Sequence, residues 1–117
     1  MAKRKKARIS YPHFRRYNYV EGGKTIRAKH PKLIVERKGK TYGFMGLTES
    51  TKRGHHANIK LDKNPERGQT GPSYVRKELR YDDVGHFGDV LEDYRLSPTD
   101  KKRVLEFVAI LKAKKKK

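Results

Sequence analysis

The sequence has no cysteine and no tryptophan among its 117 residues, and acidic residues are scarce beside basic ones. Without cysteine, the chain can form neither a disulfide nor a thiolate metal site. No apolar run approaches the length of a signal-peptide core or a membrane span, so the sequence favours a cytoplasmic protein. Hydrophobic residues make up 33% of the chain and charged residues 38%. These proportions allow one domain with one modest core.

The excess of positive charge is the strongest global feature. Lysine and arginine outnumber aspartate and glutamate by 31 to 13, which gives a formal net charge of +18. Residues 1–8 and 112–117 hold ten of these charges and no acidic residue, which leaves +8 on residues 9–111. Such a surface attracts polyanions by releasing condensed counterions, so nucleic acid is the favoured partner. We predict a flexible basic arm (1–8), a single globular domain (9–111) and a lysine-rich basic tail (112–117).

The stretch from residue 29 to residue 50 predicts a β-hairpin. An apolar run at residues 33–35 and an aromatic-rich run at residues 42–45 flank a Lys-Gly turn, which is a hairpin pattern. Gly43 and Gly46 interrupt the second run. Glycines inside a strand predict a bulge or the close approach of another backbone or a ligand.

Shorter strands are predicted on both sides of this hairpin. A Gly-Gly turn predicts a small hairpin over residues 18–28, and alternation of apolar and polar residues predicts strands at 58–61 and 73–80. A mobile loop rich in proline and glycine separates these last two strands. Residues 81–94 contain several turn residues, and we expect them to pack across the sheet without long regular structure.

A helix is predicted to close the chain. Ser97, Pro98 and Asp100 form a helix start in which serine caps, proline occupies the first turn and aspartate favours the dipole. The apolar residues that follow recur with helical spacing and predict a helix over about residues 98–113. The order of elements indicates an α+β fold that is mainly β, a small half-open barrel or curled sheet with a C-terminal helix.

Residues 11–19 interleave four aromatic residues with Arg15 and Arg16. This pattern is compatible with base stacking and phosphate contacts on single-stranded nucleic acid. In the alternative interpretation, which we favour slightly, the aromatic side chains cover one end of the small core.

Four short motifs follow one another along the chain: KHPKLIV at residues 29–35, GLTES at 46–50, SYVR at 73–76 and LSPTD at 96–100. In this order they resemble the K-x-R-P-x-V-V strand, the P-L-T-S strand end, a later strand and the L-S-x-x-D helix start of the MazF/PemK-like ribonuclease toxins. The likeness covers about residues 29–111. Each motif alone is short, so the specificity lies in their order.

The resemblance implies an SH3-like, PemK-type barrel that is usually dimeric. It also implies metal-independent cleavage of single-stranded RNA by attack of the ribose 2′-hydroxyl on the scissile phosphate. In that family an arginine before the proline and a threonine at the strand end contact this phosphate. By position these become His30 and Thr48, with Ser50 nearby, and the three are the predicted catalytic residues. No cofactor and no metal are expected, and a cognate antitoxin is a candidate partner.

The chain departs from the family pattern in two places. His30 stands where the family has arginine, and the apolar first strand expected before residue 28 is not evident in the sequence. Arginine can only stabilise negative charge, whereas histidine can also take or give a proton near neutral pH. The replacement is compatible with altered chemistry and equally with loss of cleavage.

Further basic residues near these motifs are predicted to contact nucleic acid. His55 and His56 belong to this set, because adjacent residues of an extended segment point to opposite faces and suit one metal ion poorly. The predicted contacts are Lys29, Arg53, His55, His56, Arg76, Lys77, Arg80, Arg15 and Arg16.

Two other functions remain open at this stage. A non-catalytic basic nucleic-acid-binding module on the same barrel, ribosome-associated or encoded by a phage or mobile element, explains every charge argument equally well. An inhibitor or adaptor of a nucleoprotein complex is a weaker alternative, since inhibitors that mimic nucleic acid tend to be acidic. The predicted partners are therefore RNA or another nucleic acid, an antitoxin or a nucleoprotein complex, and a second copy of the chain.

Overall fold

The computed structural model describes residues 11–28, 30–49 and 58–115. Within these ranges the chain is an α+β structure, mainly antiparallel sheet with one C-terminal helix, as predicted. The strands are β1 (His13–Glu21), β2 (Lys24–Arg27), β3 (Lys32–Lys38), β4 (Thr41–Thr48), β5 (Ile59–Lys60), β6 (Tyr74–Val75), β7 (Arg80–Asp83) and β8 (Phe87–Val90), and the helix is α1 (Pro98–Lys115).

The first strand, β1, is built mainly from aromatic and basic residues. Its first half pairs with β3 and its second half pairs with β2. Phe14 lies in the first half and is 1% exposed, whereas Val20 at the far end is 63% exposed. Aromatic residues suit a half-buried strand, so the sheet has a first strand although the sequence shows no apolar run there.

Glycines form the turns of both predicted hairpins, which the structure confirms. Gly22 and Gly23 have φ angles of 61° and 79°, and this left-handed region lets Glu21 pair with Lys24,. Gly39, with φ of 59°, lies in the turn between β3 and β4.

Gly43 lies opposite a bulge, as predicted for a strand glycine. The register of β3 and β4 shifts between Ile34 and Glu36, and Glu36 lies opposite Gly43. A Cβ atom at Gly43 would lie 2.8 Å from the ring of Tyr81. Glycine therefore leaves room for β7 to pair with β4, and Tyr81 donates a hydrogen bond to Glu36 at this point.

The region from residue 73 to residue 90 differs from the prediction of one continuous strand followed by irregular chain. β6 pairs with β5 and with the end of β4, and the chain then bends before β7 pairs with the first half of β4. A 3₁₀ turn, Val84–His86, leads directly into β8, which pairs with β1. Val75 and Leu79 pack on the same core across the bend, which explains why their alternation resembles a single strand.

Two apolar clusters lie on opposite faces of the sheet. Successive side chains of a strand point to opposite faces, and the successive residues Leu33 and Ile34 belong to different clusters. The smaller cluster contains Ile34, Tyr42 and Phe44, with Phe87 packed against it. The larger cluster is covered by α1. It comprises Phe14, Leu33, Val35, Met45, Leu47, Ile59, Leu61, Val75, Leu96, Val104 and Val108.

The start of α1 is where the sequence predicts it, but Asp100 has an additional role. The Ser97 hydroxyl accepts a hydrogen bond from the Asp100 backbone N–H at 3.2 Å, as a capping serine does,. The Asp100 carboxylate is fully buried and accepts hydrogen bonds from the backbone N–H groups of Asp62 at 2.7 Å and Lys63 at 3.1 Å. It therefore anchors the loop after β5 to the helix.

The end of α1 lies beyond its predicted end. The helix continues to Lys115, so Lys112 belongs to the helix as well as to the predicted basic tail. The Lys112 ammonium forms an ion pair with Glu36, which also accepts the hydrogen bond from Tyr81. Burial raises the pKa of Glu36, but the hydrogen bonds from Lys112 and Tyr81 outweigh this effect and lower it. The charged Glu36 thus joins the helix to β3 and β7.

Candidate nucleic-acid interface

Three basic side chains come together near one end of the β3–β4 hairpin, and we call Lys32, Arg76 and Arg80 the basic cluster. Lys32 begins β3 and pairs with Gly46, while the Arg76 backbone N–H donates to the Gly46 carbonyl at 2.9 Å. Arg80 begins β7 and pairs with Phe44, two residues from Gly46 on β4. Three separate segments therefore supply the cluster.

The side chain of Arg76 lies close over Gly46. A Cβ atom at Gly46 would lie 3.1 Å from Cδ of Arg76, closer than an ordinary van der Waals contact. The absence of a side chain at Gly46 leaves room for the Arg76 side chain to lie across β4. Lys32, the strand partner of Gly46, lies beside it. A strand glycine is expected to mark a bulge or the approach of another backbone or a ligand, whereas the group that approaches Gly46 is the side chain of Arg76, a residue predicted to contact nucleic acid.

The cluster carries positive charge that Glu78 offsets only in part and that no ion pair within the described ranges neutralises. Burial lowers the pKa of Lys32, and the charges of Arg76 and Arg80 lower it further, while Glu78 opposes them. The ion pairs among the described residues join His86 to Asp82, Arg103 to Asp100 and Lys112 to Glu36, and none includes a cluster residue. Cations held close together without a paired acid favour binding of an anion.

Tyr17 forms one wall of the cluster. The Lys32 ammonium lies 5.4 Å from the centroid of the Tyr17 ring, within cation–π range,. The Tyr17 hydroxyl donates a hydrogen bond to Asp82 at 2.5 Å. Burial, this hydrogen bond and the negative charge of Asp82 raise the pKa of Tyr17 to about 12, so Tyr17 stays neutral and in place at neutral pH.

Asp82 joins β7 to β1 and to the 3₁₀ turn. Besides Tyr17, it accepts a hydrogen bond from the Asp83 backbone N–H at 2.7 Å and lies 3.0 Å from Nδ1 of His86. Burial favours the neutral carboxyl, but these hydrogen bonds outweigh it and lower the pKa of Asp82. Asp82 lies in the segment predicted to contain several turn residues, and no sequence pattern indicates this role, because its partner Tyr17 lies 65 positions away.

These contacts predict a loss of stability in strong alkali. The pKa values of Tyr17 and Tyr81 are both raised to about 12 from 10.0. Their contribution is complete below about pH 10 and is lost as pH rises through about 12. The free energy of unfolding in urea should therefore fall over this range, and less steeply for Tyr17→Phe. An unchanged slope in a variant with phenylalanine at both positions would contradict the assignment.

His30 and Thr48 lie at the same end of the hairpin as the basic cluster. Lys32 pairs with Gly46, and the two predicted catalytic residues lie two positions beyond these partners, His30 on one side and Thr48 on the other. Thr48 also pairs with Tyr74 of β6. The predicted proximity is consistent with this register, and the catalytic roles stay predictions.

Arg15 makes contacts within the protein. Its guanidinium donates to the Gly88 carbonyl at 2.8 Å and to Nε2 of His13 at 3.0 Å, and it lies 5.0 Å from the Tyr42 ring centroid. These contacts hold β1 against β8. Arg16 is half-buried. A Cβ atom added at Gly88 would lie 3.4 Å from the Cβ atom of Arg16, so β8 packs closely against this residue. RNA contacts by Arg15 and Arg16 stay predictions.

Lys77 points away from the basic cluster. Its ammonium lies 5.2 Å from the ring centroid of Phe107 on α1, and the helix covers the opposite face of the sheet from Ile34 and Phe44. Of the predicted arginine and lysine contacts, Arg76 and Arg80 therefore belong to the cluster and Lys77 does not.

Five predicted site residues lie outside the described residues: Lys29, Ser50, Arg53, His55 and His56. In the ranges that the structure does describe, no helix is long and apolar enough to cross a membrane. The same ranges contain no group of three or more histidine, aspartate or glutamate side chains arranged to hold a metal ion. The predicted antitoxin and homodimer contacts involve other chains and stay predictions.

Comparison with models of known protein families, with curated proteins and with solved structures finds no match for this chain. The function of the protein is therefore inferred from the sequence pattern and from the geometry of the basic cluster.

Proposed function

We propose that this protein binds single-stranded RNA at the basic cluster and cleaves it as a metal-independent endoribonuclease. The observation that carries the proposal is the position of Lys32, Arg76 and Arg80 beside the strand end that bears Thr48. Among the residues that the structure describes, no ion pair joins an acid to any of the three. A phosphate diester is the anion that suits such a site in a protein with a net charge of +18,.

The strand connections support an SH3-like half-open barrel as the scaffold. Pairing runs in the order β7, β4, β3, β1 and β8, and the two strands at the ends of this order are joined by the 3₁₀ turn alone. A sheet whose first and last strands are consecutive in the chain favours curling into the proposed half-open barrel. On this barrel the cluster lies near the ends of β3 and β4.

The proposed reaction is an internal transesterification. The ribose 2′-oxygen attacks the adjacent phosphorus and gives its proton to a base, while the bond from phosphorus to the 5′-oxygen breaks and that oxygen takes up a proton. The products are a 2′,3′-cyclic phosphate and a free 5′-hydroxyl. The cluster cations stabilise the extra negative charge on phosphorus in the transition state, and the Thr48 hydroxyl donates to a phosphate oxygen.

His30 and Glu78 are the proposed proton carriers. His30 can exchange a proton near neutral pH. Glu78 follows Arg76 by two residues, and its charge acts on Lys32, so it too lies near the bound phosphate. We assign the base and the acid of the reaction to His30, beside the strand end, and Glu78, whose charge acts on Lys32,.

The test uses purified protein and a mixed-sequence single-stranded RNA in the presence of EDTA. We expect cleavage by the natural chain and strongly reduced cleavage by His30→Ala, Thr48→Ala and Glu78→Gln. Intact RNA together with tight, salt-sensitive binding would refute cleavage and identify a non-catalytic RNA-binding module. Cleavage unaffected by all three substitutions would refute the residue assignment alone.

A further inference from the structure

An exposed aromatic ring continues the line that begins at the basic cluster. Tyr19 lies two positions after Tyr17 on β1, and the two ring centroids are 6.4 Å apart with planes inclined by 26°. Tyr19 is 36% exposed, whereas Tyr17 packs between other aromatic rings, 5.3 Å from Phe44 and 4.9 Å from Phe87. Tyr17 therefore neighbours both Lys32 and Tyr19, and Tyr19 is the more exposed of the two rings.

The backbone of Tyr19 is fixed in a hairpin, and its ring lies against the ring of Tyr17. Tyr19 pairs with Ile26 in the β1–β2 hairpin, and the register continues to Glu21 and Lys24 at the turn. On the other side Tyr17 is fixed by its hydrogen bond to Asp82. A ring that is already ordered loses little conformational freedom on binding, which favours its use as a contact surface.

The spacing fits a strand of nucleic acid. The distances from Lys32 to Tyr17 and from Tyr17 to Tyr19 together place the Tyr19 ring no more than about 12 Å from the Lys32 ammonium. Phosphates follow one another about every 3.4 Å along one strand of a stacked duplex, so a single strand covers this separation with only a few nucleotides. A phosphate on the basic cluster therefore brings a neighbouring base to Tyr19.

We infer that Tyr19 is a stacking platform for an unpaired nucleobase next to the phosphate that the basic cluster holds. The inference rests on the proposed function and adds to it the reason why the substrate is single-stranded, since a base inside a duplex cannot present its face to the ring. Stacking on an aromatic side chain tolerates any base. The platform thus contributes affinity and register without reading sequence.

The experiment compares two probes that share negative charge and differ in bases. One is a labelled 2′-O-methyl oligoadenylate of about 12 nucleotides, which resists cleavage, and the other is inorganic polyphosphate of similar charge. We expect Tyr19→Leu to weaken oligoadenylate binding about tenfold, because stacking contributes about 1–3 kcal/mol per base. The Kd for polyphosphate should stay unchanged, and Tyr19→Phe should bind both probes like the natural chain.

Two results would overturn the inference: unchanged oligoadenylate affinity in Tyr19→Leu, or equal losses for both probes. A different result would refute phosphate binding by the basic cluster. In that case Lys32→Ala and Arg76→Ala would leave the Kd for polyphosphate unchanged. A direct measurement on the unmodified protein uses a single strand containing 5-iodouridine. Photocrosslinking should attach it to Tyr19, located by mass spectrometry, and absence of that adduct would also overturn the inference.

Discussion

Arg76→Ala is expected to slow RNA cleavage about 100-fold or more and to weaken RNA binding about tenfold. The arginine lies across Gly46 beside Lys32, so it can contact both the bound phosphate and the charge that develops on phosphorus. Removing one preorganised donor from a transition-state site costs about 10²–10³ in rate. Loss of one charge-assisted hydrogen bond to the bound phosphate costs about 1.5–3 kcal/mol.

Lys77→Ala is the matched control for this prediction. It removes the same charge from the neighbouring position, but the Lys77 ammonium lies against Phe107 on the helix side of the sheet. We expect Lys77→Ala to change cleavage less than about twofold, apart from a small change in salt dependence. Single-turnover rates and anisotropy titrations at fixed salt measure both quantities. Equal losses in the two variants would show that net charge alone is responsible.

Asp100→Ala is expected to lower the free energy of unfolding by about 2–4 kcal/mol. The buried carboxylate accepts hydrogen bonds from the backbone N–H groups of Asp62 and Lys63, and each buried donor that is left unpaired costs about 1–3 kcal/mol,. A small domain has only about 5–15 kcal/mol of stability. The loss should therefore be visible as a clear fall in the urea midpoint.

Glu106→Ala is the control for Asp100, since it removes an exposed carboxylate from the same helix. We expect it to change stability by less than about 0.5 kcal/mol. Asp100→Asn should fall between the two, because its amide oxygen can still accept one of the hydrogen bonds. An Asp100→Ala midpoint equal to that of Glu106→Ala would contradict the anchoring role.

The sequence predicts the elements whose signals are local. The Gly-Gly and Lys-Gly turns give both hairpins, and the Ser97 start gives the helix, because each depends on residues a few positions apart. The prediction of one continuous strand fails at residues 73–80, where Val75 and Leu79 share a core across a bend. No local pattern indicates that β4 pairs with β7 along its first half and with β6 at its end.

The candidate site could be predicted only in part. Arg76 and Arg80 follow from charge and alternation, and His30 and Thr48 from the family resemblance. Lys32 stands in the same motif, and its period-two spacing from Ile34 was a usable signal that places both on one face. The links from Tyr17 to Asp82 and from Tyr17 to Lys32 depend on the pairing of distant strands, which the sequence alone does not reveal.

The most direct test of the account compares RNA with DNA of the same sequence, both single-stranded and in EDTA, at protein concentrations that saturate binding. The account predicts that both strands bind and that RNA alone is cut, leaving a 2′,3′-cyclic phosphate and a 5′-hydroxyl, because the 2′-oxygen is the nucleophile. Intact RNA at saturation, or cleavage of both strands, would contradict it.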